Sequence, residues 1–192
     1  MHRRLFSGRE TKELLISFLA LGLIFAYPSF LSDLSSLFMY FTVIGVAFIG
    51  HELAHKFTAI RLGYWSEYRM WKEGLLMALL FAVASGGSII FAAPGAVYFA
   101  LRSPFQKMTK RHVGLIGLAG PLFNAAAFLV SAVLFMATGI FVFYFLMIAN
   151  VFLGLFNMIP FGPLDGRKIR AWDQKAWIAL TAFLAAGLLF AF

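Results

Sequence analysis

Residues 34–60 read LSSLFMYFTVIGVAFIGHELAHKFTAI, an apolar run that carries two histidines and a glutamate near its end. A run of about 20 mainly apolar residues is long enough to cross a bilayer as a helix. Ionisable side chains inside such a segment are costly and indicate a functional site. The stretch therefore predicts a transmembrane helix that carries reactive groups.

The polar group in this run is His51-Glu52-Leu53-Ala54-His55. Residues four apart lie on one face of a helix, so His51 and His55 can offer their imidazole nitrogens to a single zinc ion. Glu52 then lies close enough to act as general base toward a metal-bound water. The alternative is that these side chains only hydrogen bond between helices. No lysine or arginine precedes them in the run to pair with them, which favours the metal site.

The rest of the chain has the composition of a membrane protein. Of its 192 residues, 62% are hydrophobic and only 12% are charged, and the mean hydropathy is +0.88. The connections between apolar runs leave no room for a soluble domain, so we expect one transmembrane metalloprotease domain over residues 1–192. The chain has no cysteine, which excludes disulfides, thiolate zinc sites and cysteine-protease chemistry.

Five further apolar runs flank the central one, at about residues 14–31, 74–99, 113–137, 140–163 and 176–192. The run at 74–99 differs from the others because it is interrupted by Ser85-Gly86-Gly87-Ser88 and by Pro94-Gly95. Such breaks occur at membrane depth where the backbone is buried in protein or lines a cavity. This run is therefore predicted to re-enter the membrane or to form a short β element.

The basic residues predict the orientation of the spans. They form four groups of four: Arg3, Arg4, Arg9 and Lys12; Lys56, Arg61, Arg69 and Lys72; Arg102, Lys107, Lys110 and Arg111; Arg167, Lys168, Arg170 and Lys175. The connections at 28–36 and 137–140 carry none, so the positive-inside rule places the four groups and the amino terminus in the cytoplasm. The net charge of +8 is thereby explained by membrane orientation, and we expect no nucleic-acid partner.

The fold class predicted from these patterns is an all-α polytopic membrane protein of the cell membrane. It has about five to six transmembrane helices, with the re-entrant or β element between the second and third full spans. The core spans are expected at about 34–60, 113–137 and 140–166. The active site faces the cytoplasmic side.

A catalytic zinc site normally has three protein ligands and a water, so two histidines leave one ligand to be found. Topology excludes Asp33, which lies on the outer side, and the remaining glutamates resemble loop or interface charges. Asp165 remains as the candidate, with Asp173 as a weaker rival. Asp165 follows Pro160-Phe161-Gly162-Pro163, which interrupts the helix and lets a carboxylate turn toward the site.

Three motifs together resemble the site-2 protease family of intramembrane metalloproteases. They are HELAH at 51–55, GLAGPLFN at 117–124 and NMIPFGPLDG at 157–166. The resemblance covers three spans and implies that Asp165 is the third zinc ligand, within the family's Leu-Asp-Gly motif. It also implies cleavage of membrane-anchored substrate proteins, expected here to be single-span proteins. Unlike many relatives, the chain has no room for a PDZ or CBS domain.

Asn124 and Asn157 belong to these motifs and are predicted to bind substrate, with packing between helices as the alternative. Residues 87–98 offer a strand edge to which an extended substrate segment could add. Two other functions remain open at this point, a metal-ion transporter or channel and a catalytically inactive scaffold of the same fold. The sequence leaves the oligomeric state undetermined.

Overall fold

The computed structural model describes residues 5–88 and 94–191. Arg3, Arg4, residues 89–93 of the predicted re-entrant element and Phe192 lie outside the described residues. The helices are α1 (Gly8–Ala26), α2 (Ser35–Ile44), α3 (Gly50–Arg61), α4 (Lys72–Ala84), α5 (Lys110–Thr138), α6 (Phe141–Asn157), α7 (Asp165–Trp172) and α8 (Gln174–Ala191). Two strands, β1 (Trp65–Met70) and β2 (Gly95–Ala100), form one sheet. A mostly helical fold with a small β element is therefore confirmed.

Three helical segments in the described part of the chain are long and apolar enough to cross a membrane: Ser35–Arg61, Lys110–Thr138 and Gln174–Ala191. The first of them joins α2 to α3 through a π-helical turn at Gly45–Ile49. Helix α6 is apolar but shorter. These segments are consistent with a membrane protein, while the count of five to six spans stays a prediction.

The interrupted run at 74–99 contains two different elements. Helix α4 occupies its first part and ends just before Gly86 and Gly87, whose φ angles of +61° and +83° are readily adopted by glycine. Strand β2 forms its last part, and the Trp71 amide after β1 donates to the Pro94 carbonyl before β2 at 2.9 Å. The end of β1 thus meets the start of β2, as in an antiparallel pair.

The chain divides into two compact units, of which the first comprises Met1–Gly45 and Ser66–Tyr98. Helix α1 packs against α2 and α4 in this unit. Its first turns carry Glu10 and Glu13, whose carboxylates accept the backbone N–H groups of Tyr68 and Met70, each at 2.9 Å. One edge of β1 is therefore occupied by side chains of α1, and the other pairs with β2.

The second unit comprises Val46–Trp65 and Phe99–Phe192. Helix α5 lies at its centre and contacts α3, α6, α7 and α8. Its amino terminus is capped by Thr109, whose hydroxyl accepts the His112 amide at 3.1 Å. The core of the unit contains buried residues of α5, α6, α7 and α8, among them Phe128, Val151, Ile169 and Leu184. All of the residues predicted to bind metal lie in this unit.

Candidate metal centre

The two histidines of α3 meet at one face of the helix, as their spacing predicts. Both are buried, and their Nε2 atoms lie 2.9 Å apart. The π-helical turn at Gly45–Ile49 immediately precedes them, and single π turns inside α-helices occur frequently at functional sites.

Asp165 reaches the histidine pair from the first residue of α7. Helix α6 ends at Asn157, and the chain turns through Pro160, Gly162 (φ +60°) and Pro163 before α7 begins. The Oδ2 atom of Asp165 lies 2.9 Å from His55 Nε2 and 3.3 Å from His51 Nε2. His51, His55 and Asp165 therefore form a buried group whose ligand atoms can hold one metal ion.

The second ring nitrogen of each histidine faces an oxygen. The Nδ1 atom of His55 lies 2.6 Å from the Ile116 carbonyl oxygen, and that of His51 lies 2.6 Å from Asn124 Oδ1. A carbonyl oxygen only accepts, so each Nδ1 carries the proton and donates it. In a neutral imidazole the Nε2 atom then has a free lone pair.

This proton arrangement supplies a test of whether the residues fit a metal ion. The two Nε2 atoms and the Asp165 Oδ2 atom converge with three lone pairs, a combination that a cation stabilises. Three donors bound to zinc tetrahedrally at about 2.0–2.1 Å lie about 3.3 Å from one another. The observed separations of 2.9 and 3.3 Å are close to that value, so the donor set fits zinc.

The other oxygen of Asp165 is held separately. Its Oδ1 atom accepts a hydrogen bond from the Lys168 ammonium at 2.8 Å, one turn further along α7. Asp165 thus presents one oxygen to Lys168 and the other to the two histidines.

A glycine of α5 leaves space beside the ligand atoms. A Cβ atom added to Gly120 would lie 2.6 Å from His51 Nε2 and closer still to His55 Nε2. Real Cβ atoms do not make contacts this short, so any larger residue would enter the space that the ligand atoms face. Gly120 lies in the GLAGPLFN motif, and its place in the fold gives this motif a direct structural relation to the metal centre.

The remaining predicted residues differ in their described hydrogen-bond partners and burial. Glu52 is buried on α3, next to His51 in sequence. Asn124 contacts His51 directly. The Asn157 amide donates to the Leu153 carbonyl within its own helix at 3.0 Å. The rival ligand Asp173 instead accepts the backbone N–H groups of Lys175 and Ala176 at the start of α8.

Sequence reasoning missed two residues that support the site, Lys168 and Asn150. Asn150 is fully buried on α6, and its Oδ1 atom accepts a hydrogen bond from Asn124. A polar side chain in the apolar run at 140–163 is a signal that could have indicated it, because such residues in membrane helices bond to neighbouring helices. Lys168 was assigned only to a cytoplasmic basic group.

A comparison with curated proteins finds a relative in Methanocaldococcus jannaschii that is named "putative zinc metalloprotease". It is 38% identical to this chain over 181 residues, which cover 90% of this chain and 88% of the relative. No family model matches the sequence. No solved structure matches it either.

Proposed function

This chain belongs to the zinc metalloprotease family of its Methanocaldococcus jannaschii relative, and from that premise we propose that it is an intramembrane protease of the site-2 type. It hydrolyses peptide bonds of single-span, membrane-anchored proteins near the cytoplasmic side of the bilayer. The observation that carries the proposal is the convergence of His51, His55 and Asp165 lone pairs at one buried point, with Glu52 on the same helix.

Each residue of the centre has a defined part in this proposal. The Nε2 atoms of His51 and His55 and one oxygen of Asp165 hold zinc. When bound, zinc supplies a Lewis acid that polarises the scissile carbonyl and acidifies a water molecule. Glu52 takes one proton from that water while the water oxygen forms a bond to the carbonyl carbon. Glu52 then delivers the proton to the nitrogen as the carbon–nitrogen bond breaks.

The proposed membrane arrangement combines the candidate spans with the distribution of basic residues. Five spans and one re-entrant element place all four basic groups on the cytoplasmic side. The three long apolar segments and the shorter apolar helix α6 support part of this count. Asp165 begins α7 after the turn that ends α6 and precedes a basic group, which favours a catalytic centre near the inner surface.

The sheet is proposed to bind the substrate as an added strand. A helical peptide bond is poorly exposed to attack, and strand addition would hold the substrate extended. The α1 carboxylates occupy the edge of β1 that faces away from β2. The edge of β2 that faces away from β1 is therefore the one proposed to receive the substrate. Asn157 is proposed as a further contact. Substrate binding by Asn124 stays a prediction, because its described polar contacts are to other protein groups.

The experiment that tests this function compares the wild-type chain with Glu52→Gln. Both proteins are purified in detergent, supplied with zinc and incubated with tagged single-span helices that contain a helix-breaking residue near the cytoplasmic end. Products are identified by mass spectrometry. We expect both proteins to bind about one zinc, and the variant to lose cleavage by about 10²-fold or more.

Other outcomes distinguish the competing functions. Zinc binding without cleavage by either protein would indicate an inactive scaffold. Zinc flux into proteoliposomes that is unchanged by Glu52→Gln would indicate a transporter. Full cleavage by the variant would contradict the proposed role of Glu52.

A further inference from the structure

We infer that Asn150 is a positioning residue for the metal centre, which acts through Asn124 to fix the proton of His51 on Nδ1. Asn150 lies outside the three sequence motifs, and its described hydrogen bonds are to Asn124 and Leu146. The inference rests on the proposed function only where it assigns the free Nε2 atom of His51 to zinc.

The side chain of Asn124 is completely buried, and both of its N–H groups and its oxygen are hydrogen bonded. Its Nδ2 group donates to the Ala47 carbonyl at 3.1 Å and to Asn150 Oδ1 at 2.9 Å. Its Oδ1 atom accepts from His51 Nδ1 at 2.6 Å. Asn124 thus links α3, α5 and α6.

The two acceptors fix which way the Asn124 amide points. If the amide were reversed, its oxygen would face the Ala47 and Asn150 oxygens, and two contacts would join acceptor to acceptor. Its NH₂ group would then face His51. The Ala47 carbonyl and Asn150 Oδ1 therefore hold the amide oxygen toward His51 and require Nδ1 of that ring to be the protonated nitrogen.

Asn150 is itself held in one orientation. Its Nδ2 group donates to the Leu146 carbonyl one turn earlier in α6 at 2.8 Å, which leaves Oδ1 facing Asn124. Gly154 allows the close approach, because a Cβ atom added there would lie 3.1 Å from the Asn124 Cβ atom. The hydrogen-bond chain therefore begins at the α6 backbone and ends at a metal-binding imidazole.

The two histidines differ in the group that determines which ring nitrogen carries the proton. His55 donates to a main-chain carbonyl, that of Ile116, which cannot reverse. His51 donates to a side-chain amide, whose direction depends on its neighbours. The tautomer of His51 is therefore the one that a single substitution away from the ring can change.

The test uses the full-length protein in detergent with ¹⁵N-labelled histidine. The chain has four histidines, so the signals of His51 can be identified by their loss in His51→Ala. Zinc affinity is measured by competition with a chelator, and the protonated ring nitrogen is read from the ¹⁵N spectrum of the zinc-loaded and metal-free forms. Circular dichroism and gel filtration establish that each variant is folded.

Three variants of α6 separate positioning from general packing. Asn150→Leu keeps similar volume but removes the acceptor for Asn124, and we expect zinc affinity to fall about 10- to 100-fold with loss of the single Nδ1–H form of His51. Asn150→Asp, as the neutral acid, can still accept from Asn124 and donate to Leu146, so it restores both readouts. Phe152→Leu, at an exposed position of the same helix, leaves zinc affinity unchanged.

Wild-type zinc affinity and an unchanged His51 spectrum in Asn150→Leu would overturn the inference. An equal loss of zinc affinity in Asn150→Leu and Asn150→Asp would also overturn it. Failure of the proposed function looks different, because the wild type would then bind no zinc or cleave nothing. The metal-free spectra would still report whether Asn150 sets the proton of His51.

Discussion

The Lys168 ammonium lies 2.8 Å from Oδ1 of Asp165, while Oδ2 of the same carboxylate lies 2.9 Å from His55 Nε2. The two oxygens of Asp165 therefore have separate partners. The stem of Lys168 packs beside Gly117 of α5, where an added Cβ atom would lie 3.0 Å from the lysine Cβ. Helix packing and a charged hydrogen bond together orient the third ligand.

Lys168→Gln removes the charge that holds Oδ1, so Asp165 is free to rotate. We expect zinc affinity to fall about tenfold, as is usual when a residue that orients a metal ligand is lost. Chelator competition measures the change, and Lys168→Arg should recover most of it. Arg167→Gln, an exposed neighbour on α7, is the matched control. Equal affinities in Lys168→Gln and the control would refute the orienting role.

Gly120→Ala places a methyl group in the space between the two imidazoles. The contact would be to ligand atoms that their other hydrogen bonds already hold, so neither ring can move without losing a bond. We expect zinc content to drop well below one per chain, measured by elemental analysis. Gly8→Ala is the control, since a Cβ there meets nothing within 4 Å. A Gly120→Ala protein with full zinc occupancy would show that the site tolerates the methyl group.

How far the sequence predicted the site depends on the range of the interactions. His51 and His55 are four residues apart on one helix, so their shared face follows from local geometry. Asp165 was reached by excluding other carboxylates. Asn150 and Lys168 could not be assigned this way, because their roles depend on how α5, α6 and α7 pack together.

Prediction of the fold from the sequence was limited in the same way. The apolar runs predicted helices well, since hydropathy and length are properties of each segment. Strand β1 was missed because it lies in the polar connection between two runs, where its stabilisation comes from β2 and from Glu10 and Glu13 of α1. Neither partner can be identified from the strand's own residues.

Gly166→Ala tests how Asp165 is placed. A Cβ atom there would lie 2.8 Å from the Ile159 carbonyl oxygen and closer still to that of Met158. Backbone atoms cannot rotate away, so α7 must shift and carry Asp165 with it. We expect a loss of about 1–3 kcal/mol in the free energy of unfolding, typical of overpacking, together with weaker zinc binding. Thermal unfolding in detergent, with exposed Ala171→Ser as control, measures the first effect. Unaltered stability and zinc affinity would contradict the close packing.

Val97→Pro tests strand addition at β2. The Pro94 carbonyl points toward β1, where it accepts the Trp71 N–H. Backbone groups of successive residues in a strand point to opposite sides, so the N–H of Val97 points away from β1. Proline removes that donor, and we expect cleavage of single-span substrates to fall at least several-fold with zinc content unchanged. Val97→Thr keeps the N–H and serves as control. Cleavage at the wild-type rate in Val97→Pro would argue against substrate binding at this edge.

The most direct measurement is the zinc content of the purified chain beside His55→Ala and Asp165→Ala. The structure predicts about one zinc per wild-type chain and a marked loss in both variants, because each removes one of three protein ligands. A folded wild-type protein that takes up no zinc when zinc is supplied would contradict the metal centre and the protease function built on it.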